Sequence, residues 1–535
     1  MNRPLTPYLP CHLFWTGKQT SRIDEISIGT QASYGLHLME QAGAWIALAG
    51  LSRLRHGQQV LILAGPGNNG GDALVAARIL VEKGLNPQVC FVSPKPTKLS
   101  SSRQVQESKL RELLTNIHDY QPGCLQGLKN QRLMIIDGLL GLGLKGPIRA
   151  GVFRDCLQEV ASLQPSEVIA IDLPSGVLAD LWQQEAPLLP ATVTVSFGAA
   201  KPAHLLAPSR SFCGEVLLRP IDFRTEAIQQ TWDESVDRLA YLASDRQAKA
   251  QMTRLWQKLS PIAHKFTRGH VLVIGGSPGK WGAAMMSARA AAATGAGWVS
   301  LAIPQKAIAP IPALEPYLTT EELFADGKLD PHALQSFVSQ RQVKSIIIGP
   351  GCMQSPLSLD IVEVLQGMNQ QQNLILVLDA GALQGLSANM EKLGKPFIPE
   401  RCLVTPHPGE WLKMGHGLPA ISDLATLNRA REKFFNVYGC SLLYKSATPL
   451  SPQPLQSGWT ALASSATHVG LARAGSGDLL AGIAAGMTLT GIPAYHAGVM
   501  AHQWLVWAAE KAASQKSPHG ISPEDLLIEI QSLSH

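Results

Sequence analysis

The stretch from Val60 to Leu80 reads VLILAGPGNNGGDALVAARIL. A run of branched apolar residues is followed by a turn holding Gly65, Gly67, Gly70 and Gly71, and then by apolar residues at helical spacing. That is strand, glycine turn, helix, the order that brings unpaired backbone N–H groups and the positive end of a helix to an anion. No Gly-x-x-x-x-Gly-Lys-Ser/Thr string follows, so a nucleoside triphosphate loop is not indicated. Asn68, Asn69 and Asp72 inside the turn also depart from the dinucleotide fingerprint. A plain strand-to-helix turn needs one glycine; four glycines, two amides and a carboxylate point to a binding loop.

Outward from this stretch, VCFV at Val89, LMIID at Leu133, VIAID at Val168 and TVTVS at Thr192 alternate with helical patterns such as 73–83 and 151–163. The alternation predicts an α/β domain whose mostly parallel sheet carries helices on both faces. Upstream, Ile23, Ile26, Leu36, Met39, Ala42 and Ile46 at mixed helical spacing predict an opening helical region. Between about 221 and 260 the chain turns polar and charged, with no strand-like run, and the domain junction is placed there. Strand candidates then resume with VLVIG at Val271, WVSLAI at Trp298, SIIIG at Ser345, LILVLD at Leu374, CLVT at Cys402 and SLLY at Ser441. At 535 residues the chain is too long for one core. The reading is a first domain over 1–225, a linker over 226–255 and a second α/β domain over 256–535.

Composition narrows the function. The net charge of +5 arises from 45 basic and 40 acidic residues with no long basic run, so nucleic acid is not implied. Eight cysteines stand singly, without the paired spacing of zinc or redox motifs, as in reduced cytoplasmic proteins. The opening MNRPLTPYLPCHLFW is broken by prolines and a histidine where an export signal needs a continuous apolar stretch. The most membrane-like region, 479–509, is interrupted by Gly482, Gly486, Gly491, Pro493, His496 and His502, which predicts two buried helices joined by a turn and no membrane span.

Three strand ends of the first domain close on polar residues: Asn69 in the glycine turn, Asp137 after LMII, and Asp172 with Ser175 in VIAIDLPSGV. Ligands bind beyond the carboxyl ends of strands in doubly wound sheets. Asn69, Asp137 and Ser175 offer hard oxygens with little charge, a set that suits a large monovalent cation better than a transition metal. The alternative is that Asp137 and Asp172 merely cap following helices. In the second domain RAGSGDLLAG at 473–482 opens a helix with Gly475 and Gly477 beside Asp478, joining free N–H groups to a carboxylate. Such a turn suits phosphoryl transfer, the amides stabilising the transferring charge while Asp478 takes a proton from an attacking hydroxyl. A structural N-cap is again the alternative.

GPGNNGGD, IIDGLLGLGLKGP and IDLPSG, with LMEQAG at Leu38 and SFGAAKPAH at Ser196, closely resemble the NAD(P)H-hydrate epimerase domain over residues 20–220. The resemblance implies a Rossmann-like doubly wound fold. It places Asn68, Asn69, Gly70, Gly71 and Asp72, with Gly141, Leu142, Gly143, Leu144, Lys145, Gly146 and Pro147, on the hydrated nucleotide. It puts Asp172 in contact with that substrate, and Asn69, Asp137 and Ser175 on a potassium ion. Leu142 stands where threonine is usual and Ala73 where glycine is usual. Asp172 is the candidate acid and base for expelling and returning water, and Lys201, followed by proline after a strand, is the weaker second candidate.

RAGSGDLLAG, together with IGPG at Ile348, VLDA at Val377 and LVTPHPGEW at Leu403, resembles the ADP-dependent NAD(P)H-hydrate dehydratase domain of the ribokinase-like superfamily over 260–515. By that resemblance Asp478 and His407 contact the hydrate, Ala283 and Gly351 line the pocket, and Gly477 with Lys445, Ser446, Ala447, Thr448 and Pro449 holds the nucleotide. Here LDAGAL replaces Leu-Asp-Ala-Asp-Ala-Leu, so Gly381 stands for a second aspartate, KSATP from Lys445 replaces Lys-Gly-Ala-x-Thr, and HKF from His264 replaces His-Lys-Gly. These departures bear on nucleotide affinity and metal use. The implied partners are hydrated NADH and NADPH, ADP with magnesium as its candidate companion, and a second copy of the chain in a homo-oligomer. The rival readings are a ribokinase-type small-molecule kinase and a nucleotide-binding protein with a decayed second site.

Overall fold

The structure, a computed structural model, describes residues 9–94, 99–182, 184, 188–256, 262–304, 315–393, 397–464 and 466–533. Contacts divide it into two units, one built on Leu13–Val236 and one on Asp237–Ile421 and Ala425–His535. The strand residues Cys11 and His12 group with the second unit. The first strand, β1 (Cys11–Leu13), thus joins a sheet of the second unit and not the first-domain sheet.

In the first unit, β2 (Gln59–Ala64), β3 (Gln88–Phe91), β4 (Ile117–Asp119), β5 (Leu133–Gly138), β6 (Glu167–Ile171), β7 (Val193–Phe197) and β8 (Glu215–Arg219) form one sheet in the order β4-β3-β2-β5-β6-β7-β8. Every pair in it is parallel. Side chains alternate across a strand: Val60, Ile62 and Ala64 of β2 enter one core with the helices Ala32–Arg53 and Asn68–Glu82, while Leu61 and Leu63 enter the other with the helix Val152–Ser162. The chain winds outward from β2 in both directions, so β2 and β5 flank the point where strand order reverses. Two backbone turns meet there. A Cβ on Gly65 would lie 1.9 Å from the Leu139 carbonyl oxygen, and one on Gly70 would lie 2.0 Å from the Gly65 carbonyl oxygen. Those glycines are required by close approach, not by turn geometry alone.

The stretch read as a linker is structured. It holds the helix Thr225–Glu234, the strand β9 (Leu239–Leu242) and the helix Arg246–Trp256. LAYL is too short a run to stand out among its charged neighbours, yet all four of its residues are buried. It becomes a strand by pairing with β20 (Ala461–Ala463), in the sheet order β1-β9-β20-β19 with β19 (Leu450–Pro452).

The main sheet of the second unit repeats the first topology. Its strands β10 (His270–Ile274), β11 (Trp298–Ala302), β12 (Thr319–Glu321), β15 (Val343–Ile348), β16 (Ile375–Leu378), β17 (Cys402–Val404) and β18 (Ser441–Leu442) lie in the order β12-β11-β10-β15-β16-β17-β18, with a small hairpin of β13 (Phe324–Ala325) and β14 (Lys328–Leu329) beside it. The helix Trp281–Ala293 packs on the helix Ser476–Thr488. Gly482 and Gly486 permit this: a Cβ on the first would lie 2.2 Å from the Ser287 carbonyl oxygen and on the second 2.1 Å from Thr294 Oγ1. The small-residue helix therefore serves first to seat the helix that carries Asp478. The expected helical pair follows as Ser476–Thr488 and Ala494–Ala513, and no helix among the described residues is long and apolar enough to cross a membrane. All eight cysteines are unpaired, five of them buried.

Candidate functional site

In the first unit a cavity of about 520 Å³ opens at the reversal point between β2 and β5. Its walls include Asn68, Asn69 and Asp72 from the glycine-turn helix, Gly141, Leu142, Gly143 and Leu144 from the loop after β5, and Asp172 from the end of β6. Gly70 and Gly71 pack behind it. Lys145, Gly146 and Pro147 are not among its lining residues, and Lys145 and Pro147 are exposed.

Asp172 sits at φ 59°, a left-handed conformation that costs a residue with a side chain about 1–3 kcal/mol. Its Oδ1 accepts from Ser196 Oγ at 2.9 Å and from Lys201 Nζ at 2.5 Å. Lys201 is fully buried and donates further to Ser196 Oγ and the Phe197 carbonyl. It is not the solvated loop residue that a Lys-Pro pair after a strand suggests. His204 Nδ1 accepts from the Lys201 amide at 3.0 Å, which leaves Nε2 to donate to the Asp172 carbonyl at 2.7 Å. Burial pushes the His204 pKa down to about 4, so the ring is neutral at pH 7. Burial alone would push Asp172 up, but Lys201, His204 and the two hydrogen bonds outweigh it and hold the carboxyl below its ordinary value. Asp72 behaves oppositely: burial, then Asp24 and Asp172, push it well up. Asp24, which the motifs do not include, lines the same cavity and is also raised, by burial and by Asp172. The sequence signal for it is a short polar stripe, Thr20, Ser21 and Asp24 at three- and four-residue spacing, on the first helix.

Asp137 and Ser175 lie behind the cavity wall and touch directly. Ser175 donates to Asp137 through its hydroxyl at 2.6 Å and its amide at 2.8 Å. The Leu140 amide donates to Ser175 Oγ at 2.9 Å, and Asn69 Nδ2 donates to the Leu140 carbonyl at 3.1 Å, so Leu140 links the three expected cation ligands. Burial pushes Asp137 up to about 6 against these hydrogen bonds, and no basic side chain pairs with it among the described residues. A buried carboxylate among neutral oxygens, lacking a counter-charge, fits a monovalent cation. Neither Asp137 nor Asp172 caps a helix.

In the second unit Gly475, at φ 99°, is the N-cap of the Asp478 helix, and Asp478 lies in the first turn. The capping alternative therefore falls for this residue as well. Burial and the neighbouring Asp379 push Asp478 up to about 6, with Lys445 opposing. Lys445 Nζ donates to Asp379 Oδ1 at 2.6 Å and lies 3.6 Å from where a Gly477 Cβ would be. The nucleotide-segment lysine is thus placed over the Asp478 turn by an aspartate to which the sequence reading gave no role. Of the rest of that segment, Ser446 Oγ donates to the Thr448 carbonyl, Ala447 is exposed, and Thr448 and Pro449 are buried. Ala283 and Gly351 meet, since a Gly351 Cβ would stand 3.2 Å from Ala283 Cβ.

His407, expected as a contact of the hydrate, also has a structural duty. Its Nδ1 accepts from the Gly409 and Glu410 amides while Glu410 accepts from the His407 amide, a capping box for the helix Pro408–Lys413. It also borders a pocket of about 250 Å³ with Cys352, Gly381, Gln384 and Glu410. Gly381 opens the helix Gly381–Leu393, and a Cβ there would lie 2.6 Å from both Cys352 Cβ and its carbonyl oxygen. The absent aspartate is excluded by close packing. Among the described residues no group of three His, Cys, Asp or Glu side chains is placed to hold a metal ion.

Residues 35–203 match the family described as YjeF-related protein N-terminus, and residues 271–532 match the NAD(P)H-hydrate dehydratase family. The chain is 28% identical to the bifunctional NAD(P)H-hydrate repair enzyme of Coxiella burnetii, over 97% of this chain and 99% of that one. It is 27% identical to the enzyme of the same description from Escherichia coli, over 88% and 84% of the two chains. A ribokinase-like superfamily protein from Enterococcus faecalis aligns with 55% of this chain and 95% of its own, at 22% identity and a TM-score of 0.46. With both family matches in their expected halves and relatives aligned nearly end to end, the chain belongs to the bifunctional NAD(P)H-hydrate repair enzymes.

Proposed function

We propose that the first unit interconverts the R and S hydrates of NADH and NADPH, and that the second dehydrates the S hydrate with ADP to give NAD(P)H, AMP and phosphate. The observation that carries this reading is the pair of tuned carboxyls beside glycine turns: Asp172, kept ionised by buried Lys201, and Asp478, raised to about 6.

In the first unit the hydrate presents a hydroxyl on a ring carbon next to nitrogen. The nitrogen lone pair expels it once a carboxyl protonates the oxygen, and ionised Asp172 is placed to take a proton from the water that returns. Asn69, Asp137 and Ser175 would hold a potassium ion, which supplies charge balance for buried Asp137 and fixes the loop that carries Leu140.

In the second unit the hydrate hydroxyl attacks the terminal phosphorus of ADP while Asp478 takes its proton. An oxygen–phosphorus bond forms and the bond to AMP breaks. The carbon–oxygen bond then breaks, phosphate leaves, and loss of a proton from the neighbouring ring carbon restores the dihydronicotinamide. Amides at the start of the Ser476–Thr488 helix and the Lys445 ammonium face the transferring charge. Magnesium would reach this site on the ADP phosphates, and no step here depends on it. Cytoplasmic residence and self-association belong to the same reading.

The test supplies mixed epimers and ADP and follows dihydronicotinamide absorbance. Full recovery requires both units. Accumulation of a phosphoester instead would establish the kinase reading.

A further inference from the structure

We propose that Asp24 is a second acid–base catalyst of the epimerisation, exchanging roles with Asp172 so that one carboxyl serves each face of the reacting carbon. The proposal rests on the reading of the first unit as a hydrate epimerase. Asp24 lies ahead of the family match, which begins at residue 35, and outside every glycine-rich motif.

The helix Gly17–Ile28 begins in a capping box between Thr16 and Gln19, and its first amide, that of Gly17, donates to Asp180 Oδ1 at 2.9 Å and Oδ2 at 3.1 Å. Asp180 belongs to the segment that follows Asp172, so the helix carrying one carboxyl is tied to the loop carrying the other. Ile23 and Ser27, which flank Asp24 on the same helical turn, are buried. Asp24 is left facing the cavity, and its carboxyl has no hydrogen-bond or ion-pair partner among the described residues.

Charge then assigns the protons. Asp24, Asp72 and Asp172 share the cavity with one lining ammonium, Lys201, whose contact is with Asp172. Asp172 is therefore the ionised member. Burial and the Asp172 charge favour the protonated form of Asp24. Burial, then Asp24 and Asp172, push Asp72 up as well, and it stands on the glycine-turn helix, away from the Asp24 helix.

Inversion needs departure from one face and attack on the other. A single carboxyl reaches both faces only if the ring turns over. With two, the Asp24 proton passes to the hydroxyl, the carbon–oxygen bond breaks, and water leaves as the nitrogen lone pair forms the carbon–nitrogen double bond. Water on the other face gives a proton to Asp172 as its oxygen bonds to carbon, and the π pair returns to nitrogen. One proton has moved from Asp24 to Asp172, and the reverse reaction moves it back.

The test compares wild type, D24N and D24E in the full chain, separating the epimers by chromatography and following uptake of heavy oxygen from labelled water. For D24N, epimerisation is expected to fall by about 100-fold or more, the usual worth of a general acid, with hydrate affinity within about threefold; D24E recovers part of the rate. Label exchange with retained configuration should outpace inversion in D24N, because Asp172, once it takes a proton from solvent, can still expel and return water on its own face, whereas the two run together in wild type. D24N inverting within about threefold of wild type overturns the proposal. So does loss of hydrate binding in both variants, which marks a purely structural residue. A wild-type chain that leaves the epimers unchanged overturns the epimerase reading itself, and the proposal with it.

Discussion

Replacing Lys201 with methionine keeps the length of a fully buried side chain and deletes the charge that holds Asp172 ionised. Breaking a buried ion pair from one side costs about 3–5 kcal/mol if the remaining charge persists. Asp172 has a second outlet of similar cost. Protonating a carboxyl of ordinary pKa, about 3.9, at pH 7 costs about 4 kcal/mol at about 1.36 kcal/mol per unit, so the variant settles near that figure with Asp172 wholly or partly neutral. Wild-type Asp172 has a lowered pKa, so its stabilisation is present above its unfolded pKa and is lost as pH falls through the folded value. In K201M burial acts unopposed by Lys201, the folded pKa rises above the unfolded one, and the contribution turns destabilising as pH rises. The expected kinetic result is a loss of about 100-fold to 10,000-fold in epimerisation at pH 7, partly regained toward alkaline pH as Asp172 ionises. In the coupled assay with mixed epimers and ADP, the S hydrate should disappear at the wild-type rate and the reaction should then stall. Wild-type epimerisation by a folded K201M chain at pH 7 would refute the role given to the buried pair.

Asp478→Asn should lower dehydratase kcat/KM by at least about 100-fold while leaving epimerisation intact. In the wild type the same rate should fall as pH drops through about 6, because Asp478 must be ionised to take a proton; a flat profile from pH 5 to 8 would be the contrary result. Asp137→Asn removes the one carboxylate of the candidate cation site, and epimerase activity, or thermal stability read alongside it, should lose its dependence on potassium. Gly381→Asp, which restores the family's usual residue, should destabilise the second unit by about 1–3 kcal/mol through overpacking against Cys352; denaturant unfolding decides, and a stabilised variant would contradict the packing argument.

The sequence alone determined the features that are local. Strand-forming runs separated by helical patterns specify two parallel α/β sheets, because periods of two and of three to four residues are written directly in the order of apolar side chains. The glycine turns at Gly65–Gly71 and Gly475–Gly477 were equally legible, since few residue types tolerate such crowding or dihedrals. Tertiary structure decided what depends on partners distant in the chain. Short β4 and β9, and β8 at the sheet edge, become strands through the neighbours they pair with. Lys201 reads as a loop lysine until Asp172 stands against it, and the sequence shows neither the Asp379 that holds Lys445 nor the helix that the His407 ring caps. Asp24 became visible only when the fold turned its helical stripe toward Asp172. The charge state of a carboxyl is set by burial and by the charges that fold against it, and neither is a property of the residues beside it in sequence.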